Sequence, residues 1–251
     1  GNRAGYCLVG YGRFNVLIGH KIGVCYSHTG CRNTVIGAYA MKCANGGASD
    51  NSAVGYYTLS KITSGCGNSA FGSRSQANNT TGTCNSSFGS FSLYNTTTGG
   101  FNNAFGSCAL KCNTTGAYNH AFGGNALLYN TTGKCNIAIG FQTWRCNTTG
   151  CNNIAIGVKA GYQTKTGINN VVIGTKSFFC GYAGCNNTAI GSYAFYRAPG
   201  NNSVGNIALG ANALKYAGQP YSVNCSIGIG YNALRCVKCD GNIGLGVNTL
   251  C

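Results

Sequence analysis

The amino-acid sequence predicts an all-β fold, a parallel β-solenoid of about 15 coils with a repeat of about 17 residues. Three observations predict it. A short phrase ending in glycine recurs along the chain, large apolar residues fall in two fixed columns of that repeat, and Gly, Asn and Thr fill the segments between them. A unit of this length is too short for a pair of helices, so its apolar side chains are buried by stacking on neighbouring units.

The repeated phrase consists of Asn, any residue, a small residue, a large apolar residue and glycine, as in Asn119-His120-Ala121-Phe122-Gly123. Its glycine, which we call the anchor glycine, occurs at positions 19, 37, 55, 72, 89, 106, 123, 140, 157, 174, 191, 210, 230 and 246. Eight consecutive spacings, from Gly55 to Gly191, are 17 residues each. The pattern predicts one solenoid domain over residues 1–251. Each anchor glycine should mark a bend with positive φ or a close approach of the neighbouring backbone.

The residue before each anchor glycine is large and apolar, and we predict that this column is the interior core ladder. Its central members are Phe71, Phe88, Phe105, Phe122, Ile139, Ile156, Ile173 and Ile190. A second large column lies four residues after the anchor, as at Leu110 and Trp144. One thin coil hardly needs both columns, so an alternative is that one fills the coil while the other faces a partner chain.

Asparagine stands four residues before the anchor in 13 of the 14 repeats. Stacked asparagines can hydrogen-bond from coil to coil, so we predict a structural amide ladder. The alternative is an exposed recognition row.

Phrases such as Asn187-Thr188-Ala189-Ile190-Gly191, joined by Asn-Thr-Thr-Gly turns, resemble the head repeats of trimeric autotransporter adhesins (YadA-like heads) and related phage or viral tail-fibre repeats. The resemblance covers essentially the whole chain. It implies a left-handed parallel β-roll, a side-by-side homotrimer, and a fibre that binds host surfaces. The adhesin consensus has a shorter period and lacks these cysteines, so a viral or phage fibre is an equally suitable relative.

Seventeen cysteines favour an oxidising setting, so we expect an extracellular, virion-surface or cell-surface location. The disulfide candidates are Cys25, Cys31, Cys43, Cys66, Cys84, Cys112, Cys135, Cys146, Cys151, Cys180, Cys185, Cys236 and Cys239. Two patterns are open. A bridge could clasp one turn, as between Cys146 and Cys151, or join successive coils, as between Cys66 and Cys84. A metal site based on Cys236 and Cys239, or on His28, has weak support, and we predict none.

Asn-x-Ser/Thr sequons lie in the turns, and Asn79, Asn95, Asn113, Asn130 and Asn147 are candidates for glycosylation. Sugars there would form a row along one edge. The alternative is that Asn-Thr-Thr-Gly simply makes a good turn.

Catalysis has little support, because the only acids are Asp50 and Asp240 and the three histidines are scattered. We predict no enzyme activity, no catalytic residue and no cofactor. The formal net charge is +15, from bases such as Lys134, Arg145 and Lys215 that look scattered near turns. This favours an anionic glycan or a cell-surface receptor over nucleic acid as partner. No apolar run is long enough to span a bilayer.

These observations predict an extracellular structural fibre, filament or adhesin segment that self-associates and is stapled by disulfides. Alternatives are a viral or phage receptor-binding fibre that recognises glycans, an ice-binding solenoid and a polyanion-binding solenoid. The chain starts and stops within a repeat and shows no capping unit, so we expect a segment of a longer fibre.

Overall fold

The computed structural model describes residues 12–23, 29–44, 46–181, 183–198, 202–217 and 222–250. The chain comprises two compact units, Gly1–Gly124 and Asn125–Cys251. Every regular element in the described residues is a β-strand, and none of these residues is helical. The prediction of an all-β fold is therefore confirmed.

The described part of the first unit contains seven strands of three residues each. They are β1 (Val16–Ile18), β2 (Thr34–Ile36), β3 (Ser52–Val54), β4 (Ser69–Phe71), β5 (Ser86–Phe88), β6 (Asn103–Phe105) and β7 (His120–Phe122). Each strand pairs in parallel with the next along the chain. Residues at the same position of the repeat are paired, as Phe71 is with Phe88. This register is that of a parallel β-solenoid, as predicted.

The second unit repeats this arrangement. Its strands are β8 (Ile137–Ile139), β9 (Ile154–Ile156), β10 (Val171–Ile173), β11 (Cys180–Gly181), β12 (Thr188–Ile190), β13 (Arg197–Ala198), β14 (Ile207–Leu209), β15 (Ile227–Ile229) and β16 (Ile243–Leu245). The short strands β11 and β13 pair with each other. The other seven form a parallel ladder in chain order.

The anchor glycines all have positive φ, from +115° to +144°. At Gly106, where φ is +138°, an added Cβ would lie 2.6 Å from the carbonyl carbon and oxygen of Gly123 in the next coil. The position therefore combines a left-handed backbone with a close approach of the neighbouring chain, and both predicted reasons for glycine are confirmed.

The residue before the anchor glycine faces outward, so the predicted core ladder is wrong as an interior column. Phe88, Phe105, Phe122, Ile139, Ile156 and Ile190 are 36% to 40% exposed, and Phe71 and Ile173 are half-buried. The reason is the alternation of a strand, in which successive side chains point to opposite faces. The middle residue points inward, as Ala104 and Ala121 do at 0% exposure, so its neighbours must point out.

The outward column is nevertheless a regular ladder. The rings of Phe71, Phe88, Phe105 and Phe122 stack almost parallel, with successive centroids 4.7, 4.8 and 5.0 Å apart. Stacking therefore occurs in register, on the outside of the coil.

The interior is filled by the second column, four residues after the anchor. Leu59, Leu110, Trp144, Phe178 and Phe195 are at most 1% exposed. These residues have φ of +46° to +51°, a left-handed conformation that is uncommon for bulky side chains. One column alone therefore fills the coil, and whether the outward column faces a partner chain stays a prediction.

Trp144 is matched by a glycine in the next coil. Gly161 stands at the same repeat position, and a Cβ there would lie 2.8 Å from the indole ring. The large residue therefore uses the space that its small neighbour leaves.

The asparagine column is buried and forms the predicted amide ladder. In the first unit, the Asn102 Oδ1 atom accepts hydrogen bonds from the backbone N–H (3.0 Å) and the Nδ2 atom (3.1 Å) of Asn119. The Asn102 Nδ2 atom donates to Asn85 Oδ1 (3.0 Å) and to the carbonyl oxygen of Gly116 (2.9 Å). The structural interpretation of this column is confirmed, since the side chain is 0% exposed.

Candidate interaction surfaces

The outward residues of the second unit form an apolar surface, which we call the outer strand face. It consists of the first and third residues of the seven ladder strands: Ile137, Ile139, Ile154, Ile156, Val171, Ile173, Thr188, Ile190, Ile207, Leu209, Ile227, Ile229, Ile243 and Leu245. Thirteen of these fourteen residues are apolar and none is charged. Exposed Phe141, Val158, Tyr231 and Val247, each directly after an anchor glycine, flank the face.

The outer strand face is comparable in size with the largest apolar patches of soluble proteins. Seven coils about 4.8 Å apart and a width of about 15 Å give roughly 500 Å². The largest apolar patch of a typical monomer is about 300–600 Å² and often marks a functional site. In the first unit, by contrast, polar residues such as Ser69, Ser86 and Asn103 occupy the first strand position.

A second surface brings together cations and aromatic rings at positions two, five and six after the anchor, and we call it the basic–aromatic edge. In the second unit its cations are Arg145, Lys159, Lys176, Lys215 and Arg235, and its rings are Tyr129, Tyr162, Phe179, Tyr193, Tyr196 and Tyr216. Each cation lies over one or two tyrosine rings, at 4.9 to 5.9 Å from the centroid.

The rings of the edge also contact one another. Tyr162, Phe179 and Tyr196 stack across three successive coils, with centroids 5.0 and 5.3 Å apart and interplanar angles of 4° and 22°. Tyr193 packs against Tyr196 at 5.2 Å. Several of the bases predicted to be scattered, including Arg145 and Lys215, are therefore organised along one edge, while Lys134 lies outside it. The signal in the sequence is the fixed distance of the edge cations from the anchor glycine, two or five residues.

The first unit carries the same chemistry at the same positions. Lys21 and Lys42 lie over Tyr39, and Arg74 and Lys111 lie over Phe91. Small residues at position five of two coils, Ser60 and Ala77, leave an open pocket of about 290 Å³. Tyr57, Lys61, Arg74 and Tyr94 line its sides, together with Asn78.

The positive charge of the basic–aromatic edge has few carboxylates to balance it. Asp50 accepts two hydrogen bonds from the Arg32 guanidinium, at 2.6 and 2.8 Å, and this contact lowers the pKa of the Asp50 carboxyl. Asp240 accepts hydrogen bonds from the backbone and side chain of Asn224. Since the chain has only these two acidic side chains, few carboxylates are available to neutralise the cations of the edge.

The candidate cysteines that the structure describes do not form the predicted bridges. All described members of the candidate set are free thiols, namely Cys31, Cys43, Cys66, Cys84, Cys112, Cys135, Cys146, Cys151, Cys180, Cys185, Cys236 and Cys239. Cys25 lies outside the described residues. Burial raises the pKa of the Cys112 and Cys180 thiols.

Geometry explains why two of the suggested pairs are not bridged, although the Cys84 backbone N–H donates to the carbonyl oxygen of Cys66 at 2.9 Å. Cys66 stands six residues before its anchor glycine and Cys84 five residues before the next one, so they are not at equivalent positions. Gly67 is the residue that stacks on Cys84, where an added Cβ would lie 3.4 Å from the Cys84 sulfur. The Cys151 thiol, suggested as a partner of Cys146, instead donates to the carbonyl oxygen of Thr149 at 3.3 Å.

The glycosylation candidates are mostly buried. Asn79, Asn113, Asn130 and Asn147 are 0% exposed, and the Nδ2 atom of each donates to the carbonyl oxygen of the glycine three residues later. A glycan is attached to this nitrogen, which must therefore be accessible. The prediction that these four asparagines carry glycans is wrong for the folded chain. Asn95 stands one residue earlier in the repeat than the last three and is half-buried. It stays the one candidate of the set that is partly accessible.

The histidines form no catalytic arrangement in the part of the chain that the structure describes. His20 packs edge-on against Tyr39 at 5.7 Å, and His120 shares a 2.8 Å hydrogen bond with Asn103. His28 lies outside the described residues. The described His, Cys, Asp and Glu side chains include no group of three or more that could hold a metal ion.

Comparisons with protein-family models, with curated proteins and with solved structures found no match to this chain. Within the described ranges, no helix is long and apolar enough to cross a lipid bilayer. The outer strand face and the basic–aromatic edge are therefore the two candidate interaction surfaces of this chain.

Proposed function

We propose that the chain is a structural segment of an extracellular fibre, which assembles side by side with further copies of itself. The observation that carries this proposal is the outer strand face, in which thirteen of fourteen outward residues on seven strands are apolar. Several of them, such as Ile139, Ile156 and Ile229, are 37% to 40% exposed.

A second copy is the partner whose shape fits this face best. Two copies present apolar side chains at the same coil spacing of about 4.8 Å, so the columns of one can pack between those of the other along their length. Pairing two faces would bury roughly 1,000 Å² in total, which is the lower limit for a specific interface. A trimer, in which each chain contacts two others, would bury more per chain and is the arrangement we propose.

The absence of charge on the face supports association in water. Burial of about 1,000 Å² of apolar surface contributes on the order of 25 kcal/mol before the entropy of association is subtracted. No buried ion has to be desolvated, because no residue of the face is charged.

Sedimentation velocity of matched variants tests the proposal. Ile156→Lys combined with Ile229→Lys places two charges on the outer strand face, at positions already in contact with solvent. We expect the parent to sediment as an oligomer and this variant as a monomer, with an unchanged circular-dichroism spectrum.

Ile168→Lys is the control, because Ile168 is 42% exposed but lies outside the face, in an isolated β-bridge with Cys185. It should sediment like the parent. A monomeric parent at its highest soluble concentration, or equal dissociation of the control, would refute the proposal.

A further inference from the structure

We infer that the basic–aromatic edge binds a linear sulfated polysaccharide. This inference does not rest on self-assembly, because the edge and the outer strand face use different positions of the repeat. It concerns how a fibre of this kind would attach to an acidic surface.

The cations of the edge are closely spaced along successive coils. Its five cations belong to the coils of Gly140, Gly157, Gly174, Gly210 and Gly230, and the exposed Arg197 belongs to the coil between the third and fourth of these. Neighbouring coils are about 4.8 Å apart, which is less than the Debye length of about 8 Å at physiological ionic strength. The charges therefore act together as a line of positive potential that a linear polyanion can follow.

The cations of the edge are held in place by the tyrosine rings beneath them. Arg145 lies over both Tyr129 and Tyr162, and Lys215 lies over both Tyr193 and Tyr216, while all of these side chains stay partly exposed. Packing of the stems on the rings restricts the cations before any ligand arrives. A ligand therefore loses less of its binding free energy to side-chain ordering.

The covered ring faces of the edge favour a polysaccharide over a single-stranded nucleic acid as its ligand. Proteins bind single strands largely by stacking bases on exposed aromatic faces. Here Phe179 has Tyr162 stacked on one side and Tyr196 on the other. The faces of Tyr193 and Tyr216 carry cations. Sulfate groups need only the cations, so the edge suits a ligand recognised by its charge.

The pocket of the first unit independently supports a sulfated sugar as the ligand. It places Lys61 and Arg74 beside Tyr57 and Tyr94 at the corresponding repeat positions. Its volume of about 290 Å³ is close to the lower end of small-molecule sites, which begin at about 300 Å³. A single sulfated sugar residue matches both this size and this charge.

Titration with dextran sulfate, and with uncharged dextran as its matched control polymer, tests the inference. The edge variant replaces three lysines of the second unit, Lys159→Gln, Lys176→Gln and Lys215→Gln. The control variant removes the same charge from exposed lysines outside the edge, Lys134→Gln, Lys165→Gln and Lys238→Gln. Circular-dichroism melting of both verifies folding, and the single pair Lys215→Gln and Lys238→Gln replaces the triples if either unfolds.

We expect the parent to bind dextran sulfate and not dextran. The edge variant should bind about tenfold more weakly at physiological salt, and its slope of log affinity against log salt should be smaller by about 2, or about 0.7 for each lost contact. The control variant should lose less than about threefold. Equal losses in the two triples, no binding by the parent, or tighter binding of an oligothymidylate of equal charge would overturn the inference.

Discussion

Substitution of one asparagine in the amide ladder gives a direct measure of what holds successive coils together. In the Asn102→Ala variant, the backbone N–H and the Nδ2 atom of Asn119 lose Asn102 Oδ1 as their acceptor, and the Asn102 amide no longer donates to Asn85 or Gly116. Two of the affected acceptors keep another donor, since Asn113 still donates to Gly116 and the backbone of residue 102 still donates to Asn85. The buried Asn119 amide is the group most affected.

The expected magnitude follows from these contacts. An orphaned buried N–H destabilises by about 1–3 kcal/mol, and each lost hydrogen bond by about 1 kcal/mol. We therefore expect the free energy of unfolding to fall by about 4–6 kcal/mol, from one buried N–H that loses its acceptor and three further hydrogen bonds. The control is Asn103→Ala, which changes the adjacent residue and removes a half-buried side chain with one hydrogen bond, to His120. It should destabilise by at most about 1 kcal/mol.

Urea denaturation followed by far-ultraviolet circular dichroism measures both variants under one set of conditions. Comparison of the two neighbours removes effects of composition and of the unfolded chain. If Asn102→Ala and Asn103→Ala differ by less than about 0.5 kcal/mol, the amide ladder does not hold the coils together and the reasoning is refuted.

Three further outcomes are expected. Phe105→Asp loses two ring stacks but leaves its charge in contact with water, so it should reduce the free energy of unfolding by about 1–3 kcal/mol. Leu110→Asp should reduce it by more, because it buries a charge, and equal melting temperatures would contradict the column assignment. Gly106→Ala should lower the melting temperature strongly, since its Cβ would meet the next coil, and a melt identical to the parent would show that the backbone yields there. Burial raises the pKa of the Cys180 thiol, so Cys180 should be alkylated more slowly than the exposed Cys236 at pH 8, and mass spectrometry of the labelled peptides would expose the opposite order.

The coil, its period and the role of Gly106 could be predicted from sequence, because the same residue types recur at the same positions of every repeat. The direction in which the two apolar columns point could not. Phe105 and Leu110 are both large and lie on either side of one bend, and only the backbone conformation decides which enters the coil. Leu110 adopts a left-handed conformation, which sequence patterns for bulky residues do not indicate.

The candidate surfaces show a similar division. Composition alone predicts a basic surface with few acids, but the row that includes Arg145 and Lys215 becomes visible only when residues are placed by their distance from the anchor glycine. Four of the five glycosylation candidates were wrong for a physical reason. The Nδ2 atom that a glycan would need, as in Asn130, donates the hydrogen bond that closes its own turn.

The left-handed conformation of the inner column has a consequence for how the chain reaches its native state. A bulky L-residue in that region is disfavoured by about 1–2 kcal/mol, and the column repeats the conformation in coil after coil, as at Leu59, Leu93 and Leu110. A coil in isolation has little to offset this, whereas a coil that forms on a finished neighbour gains the stacked interior and the backbone hydrogen bonds at once. We therefore expect folding to proceed by accretion, with each completed layer acting as the template for the next.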